Sequence, residues 1–158
     1  MTILFDTSVL VAAVLRQHPA HPEAAAWLQA VKSEERSGVV AAHSIVELYS
    51  VLTRLPLQPR IDPDTARRII RHDVVGSFGI LALAADDHSA LIDQLADNSI
   101  AGGATYDALI LATARKAGVH QVLTLNTHDY ERLAPMFDIQ VVSPTQRPDQ
   151  TPPAPGVG

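Results

Sequence analysis

Asp6 follows directly on the apolar run Ile3-Leu4-Phe5 and opens the polar turn Asp6-Thr7-Ser8, after which Val9 to Leu15 takes helical spacing. A strand, a sharp turn and a helix in so few residues make the opening unit of an α/β domain. A carboxylate at that turn lies at the C-terminal edge of a buried parallel strand, where open α/β sheets gather their ligands. Two more acids have similar surroundings: Glu47 within Ser44-Ile45-Val46-Glu47-Leu48, and Asp107 within Thr105-Tyr106-Asp107-Ala108-Leu109-Ile110.

The alternation continues along the chain. Strands are expected at Thr2 to Phe5, Val39 to Ala41, Gly79 to Ala84, Val122 to Leu125 and Ile139 to Val142. Helices are expected at Val9 to Leu15, Pro22 to Lys32, Ser44 to Arg54, Asp64 to His72, Asp87 to Ala96 and Thr105 to Lys116, with a short turn at Asp129 to Leu133. Leu55 to Asp62 is Pro-rich and reads as a connection. The pattern predicts a three-layer α/β domain: helix, sheet, helix, with a small, largely parallel sheet of four or five strands. The domain is expected over residues 1–143. Residues 144–158, rich in Pro, Gly and polar side chains, read as a disordered tail.

Composition narrows the function classes. At 158 residues, with 47% hydrophobic and 18% charged residues, the chain has enough apolar material for one stable core. It contains no Cys, which excludes disulfides and thiolate metal sites and suits a reducing compartment. The N-terminus lacks a basic region and Asp6 interrupts its apolar stretch, so neither a signal peptide nor a membrane span is expected, and the cytoplasm is the default location. The net charge of −5 gives no global attraction to nucleic acid. Arg54, Arg60, Arg67, Arg68 and Arg71 nevertheless fall close together. Such a stripe suits either a phosphate backbone or a solvated helix face.

Each acid also has a purely structural explanation. Asp6 suits an N-cap, Ser44-x-x-Glu47 has the spacing of a capping box, and Asp107 lies in a first helical turn, where the macrodipole favours negative charge. Capping does not explain why all three helix starts should share one sheet edge. Two carboxylates about 4 Å apart repel by roughly 4 kcal/mol at an effective dielectric near 20. A divalent cation relieves that repulsion, and oxygen-only ligands suit Mg²⁺ or Mn²⁺. Other candidates are weaker: the seven His form no H-x₃-H or HExxH pair, and His18 and His21 read as surface residues. Tyr106 reads as packing first and as a substrate contact second, and Trp27 as core or interface.

Four stretches in this order resemble the PIN-domain ribonucleases, specifically the VapC-type toxins of bacterial toxin–antitoxin pairs. They are Ile3 to Leu10, Val46-Glu47-Leu48, Asp107 to Ala114, and Leu123-Thr124-Leu125-Asn126-Thr127-His128-Asp129-Tyr130. The resemblance implies a Mg²⁺-dependent endoribonuclease, with Mn²⁺ able to substitute, whose products carry 5′-phosphate and 3′-hydroxyl ends. It implies that Asp6, Glu47 and Asp107 are the catalytic, metal-holding acids, with Ser8, Thr124, Asn126 and Asp129 around them. Many relatives carry a fourth acid where this chain has Asn126, which offers a carbonyl oxygen and no charge, so one ion or two are both compatible. The implied partners are RNA, guided by Arg54, Arg67, Arg68 and Arg71, a cognate antitoxin and, as in relatives that dimerise, a second copy of the chain.

Two other readings differ in chemistry. A haloacid-dehalogenase-type phosphatase also places an Asp after its first strand but needs a second Asp two residues on, where this chain has Ser8. A non-catalytic PIN-like domain that binds RNA or a partner is compatible with Asn126. A dinucleotide-binding domain is excluded by the lack of G-x-G-x-x-G after the first strand.

Overall fold

The computed structural model describes residues 1–150. Five strands form one sheet in the order β3-β2-β1-β4-β5, parallel at every pairing: β1 Thr2–Phe5, β2 Ser37–Ala41, β3 Gly79–Leu81, β4 Gln121–Leu123 and β5 Gln140–Val142. The helices are α1 Thr7–Val14, α2 His21–Lys32, α3 Ala42–Arg54, α4 Pro63–Ile69, α5 Ala85–Asp97, α6 Ala104–Lys116 and α7 Thr127–Leu133.

A parallel sheet with helices on both faces must be apolar on both, and the alternation within single strands shows it. Ile3, Phe5 and Val40 enter one core, against Val9 and Leu10 of α1, Trp27 of α2, Leu48 and Leu52 of α3, and Ala66 of α4. Leu4, Val39 and Val122 enter the other, against Leu91 and Leu95 of α5, Leu111 and Ala114 of α6, and Tyr130 and Leu133 of α7. The three-layer expectation holds, with the higher strand number and an all-parallel sheet.

The strand order reverses at β1, which pairs with β2 on one side and β4 on the other. Loops leaving neighbouring strands in opposite directions open a crevice at their C-terminal ends. Asp6 closes β1 at that point, its backbone N–H donating to Leu123 O at 2.9 Å.

Several boundaries differ from expectation. β3 ends at Leu81 rather than Ala84, and α4 continues as a π-helical turn, Ile70–Val75, beyond His72. The capping box at Ser44 does not form: α3 begins at Ala42, and Ser44 lies inside the helix with its hydroxyl buried and, among the described residues, unpartnered. Part of the expected tail runs against α2. Trp27 Nε1 donates to Pro144 O at 3.3 Å and to Gln146 O at 2.9 Å, and Arg36, whose guanidinium stands 5.6 Å over the indole, donates to Pro148 O. Residues 151–158 lie outside the described residues. Among those described, no helix is long and apolar enough to cross a membrane.

One glycine in β2 is fixed by packing. A Cβ at Gly38 would meet Phe78 Cε1 at 2.6 Å and Val31 Cγ2 at 2.7 Å. Gly38→Ala is therefore expected to lower stability by roughly 1–3 kcal/mol through overpacking, read as a shifted denaturant midpoint at unchanged slope.

Candidate active site

Asp6 is 5% exposed and serves as N-cap of α1. Its Oδ1 accepts from Thr7 N–H at 2.8 Å and Tyr130 Oη at 3.0 Å, and its Oδ2 from Ser8 Oγ at 2.6 Å and Thr124 Oγ1 at 2.8 Å. The cap needs only the first of these bonds. Both partner hydroxyls are themselves aimed: Ser8 Oγ accepts Leu125 N–H at 3.1 Å and Thr124 Oγ1 accepts Asn126 N–H at 3.0 Å, which leaves each hydroxyl proton for the carboxylate.

Glu47 is exposed on α3, and its Oε2 accepts from Thr7 Oγ1 at 3.0 Å. Asp107, in the first turn of α6, is half-buried and makes no hydrogen bond from its carboxylate among the described residues. Its carboxyl is pushed up from the usual 3.8 to about 6, first by burial and then by the charges of Asp6, Asp129 and Glu47, with Arg132 acting in the opposite direction. Asp6, Glu47 and Asp107 line one cavity of about 510 Å³ together with Ser8 and Asn126. Thr124 lies buried beneath it on Asp6, and Asp129 stands outside the lining.

The sequence matches the PIN domain over residues 3–134. The chain belongs to the PIN-domain family. It is 44% identical to the ribonuclease VapC40 of Mycobacterium tuberculosis over 131 residues, 81% of this chain and 91% of that one. It is 35% identical to the ribonuclease VapC27 of the same organism over 109 residues, 69% of this chain and 74% of that one. Its fold superposes on a toxin–antitoxin complex from Klebsiella pneumoniae with a TM-score of 0.60 at 20% identity, covering 90% of this chain and 97% of that one.

Within this PIN domain the basic stripe divides. Arg67 and Arg71 line a separate apolar groove of about 620 Å³, with Ile45, Val46, Tyr49 and Val75. Arg67 and Arg68 both pair with Asp64, and Arg54 lines neither cavity. Tyr106 is 70% exposed at the rim rather than packed, and His18 lines the cavity rather than standing apart on the surface. His43 lines it too; its Nε2 is buried without a partner among the described residues. Burial lowers the His43 pKa, against the raising charges of Glu47 and Asp6. The missed signal was the helical spacing His43, Glu47, Val51, which puts all three on one face of α3.

The donor set of this PIN domain fits a hard divalent ion. Its acids offer only oxygen, and the pKa of Asp107 is raised first by burial and then by the charges of Asp6, Asp129 and Glu47, which such an ion would offset. Among the described residues, no three His, Asp or Glu side chains are grouped closely enough to form a ligand set by themselves.

The shift at Asp107 has a definite pH signature. Below about pH 4 the group is protonated folded and unfolded; between 3.8 and about 6 only the folded chain keeps the proton. Its contribution to apo stability therefore falls as pH rises through that window. Asp107→Asn should melt progressively higher than the wild type as pH is raised from 4 to 7 without divalent ions. Parallel melting curves across that range would contradict the assigned shift.

Proposed function

We propose that this PIN domain is a divalent-ion-dependent endoribonuclease acting as the toxin of a toxin–antitoxin pair, with Mg²⁺ as its ion and Mn²⁺ as a substitute. The observation that carries the reading is the meeting of Asp6, Glu47 and Asp107 on one cavity, with Asp107 pushed up to about 6. Identity to VapC40 over most of both chains supports ribonuclease activity, and kinship with the VapC ribonucleases supports a cognate antitoxin as partner.

Asp6, Glu47 and Asp107 would hold the ion. When bound, a divalent ion supplies positive charge against the phosphate and makes water acidic enough to attack phosphorus. The residues then divide the work. Asp6 receives four hydrogen bonds and acts as the fixed point of the site. Asp107 has open acceptors on the cavity, which suits it to orient the attacking water. Ser8 and Thr124 hold Asp6 and the turn after β4, while Asn126 presents a neutral amide at the rim, where Asp129 adds charge from outside the lining. Arg54 and Arg71 are exposed and form no ion pair among the described residues, which leaves them available to contact an RNA backbone.

The test is a cleavage assay on single-stranded RNA with and without Mg²⁺, paired with thermal melting. Wild-type protein should cleave only with the ion, and millimolar Mg²⁺ should raise its melting temperature by mass action. Asp6→Asn should lose both effects. Equal stabilisation of wild type and variant by Mg²⁺ would defeat the site, and Mg²⁺ binding without cleavage would favour a domain that binds RNA or a partner without cutting. Arg54→Ala with Arg71→Ala should flatten the salt dependence of RNA binding by about 0.7 per lost phosphate contact.

A further inference from the structure

Tyr130 is 0% exposed, in the core between the sheet and α7. Its hydroxyl leaves that core to donate to Asp6 Oδ1 at 3.0 Å, across 124 positions of sequence. The other donors to Asp6 have second duties: Thr7 N–H begins α1, while Ser8 Oγ and Thr124 Oγ1 receive the N–H groups of the turn after β4. The Tyr130 hydroxyl makes no second hydrogen bond among the described residues. A phenylalanine would fill the same volume without burying a hydroxyl, which costs free energy unless it is bonded. Packing therefore accounts for the ring and not for the oxygen.

The oxygen is accounted for at Asp6. The terminal torsion of an aspartate is soft and roughly two-fold, so one bond from a helix cap leaves the carboxylate plane free to swing. Thr7 and Ser8 hold it from α1, and Thr124 from the end of β4. Tyr130 grips the same oxygen as the cap, from the opposite helical layer, and closes the remaining freedom. We propose that Tyr130 is a positioning residue of this site, fixing the orientation in which Asp6 meets a divalent ion, an inference that rests on the metal-dependent reading above.

The test uses full-length protein freed of divalent ions, with Mn²⁺ alone as the probe, unbound ion being counted by its paramagnetic resonance signal. Tyr130→Phe should keep the far-ultraviolet circular dichroism of the wild type and bind Mn²⁺ roughly 10-fold more weakly or worse, as expected for loss of a bond that orients a metal ligand. At saturating Mn²⁺ its kcat on single-stranded RNA should fall while KM stays near the wild-type value. Unchanged Mn²⁺ affinity in the variant overturns the proposal, whatever happens to stability, because a merely structural tyrosine would change melting alone. A second measurement covers a variant that does not fold. The wild type contains three tyrosines, so 3-fluorotyrosine labelling gives assignable fluorine resonances, and that of residue 130 should move on Mg²⁺ addition. A resonance that stays still overturns the proposal. A wild type that neither binds Mn²⁺ nor cleaves removes the metal reading and this inference together, whereas binding and cleavage unaffected by Tyr130→Phe remove this inference alone.

Discussion

The carboxylate of Asp6 is where the layers of this fold are tied together. It caps α1, ends β1, and receives hydroxyl protons from α1, from the end of β4 and from α7. A buried acid without such partners would cost several kcal/mol. With them, it fixes the crevice where the strand order reverses and sets the floor on which Glu47 and Asp107 stand. Removing its charge alters the site, while removing its hydrogen bonds alters the seam between β1 and β4.

Much of this was legible in the sequence. Ile3-Leu4-Phe5 before Asp6 announced a buried strand, because a parallel strand covered on both faces needs no polar alternation. The three acids were legible as a set because helices that follow parallel strands begin at one edge. The rest depended on tertiary contacts that carry no local mark. Ser44 has the spacing of a cap, yet α3 starts earlier and leaves Ser44 inside the helix. Tyr130 carries no local mark within its short helix, and its hydroxyl acquires meaning only through a partner 124 positions away. The segment after Pro144 has the composition of a loose tail, but the indole N–H of Trp27 requires acceptors and finds them there.

Helix α3 separates two environments. His43, Glu47 and Val51 face the acidic cavity, while Ile45, Val46 and Tyr49 face the apolar groove that Arg67 and Arg71 also line. Leu48 and Leu52 anchor the helix in the core between these faces. The one helix therefore contributes side chains to both surfaces.

The hydrogen bonds from Thr124 and Tyr130 to Asp6 span 118 and 124 positions of sequence. Contacts so distant in sequence cannot form while the chain is still short, and they carry a high loop-closure cost in folding. During translation the first strand emerges with its acid unheld. The crevice is completed only after α7 has left the ribosome. A growing chain of this protein is therefore without this set of contacts until α7 has been made.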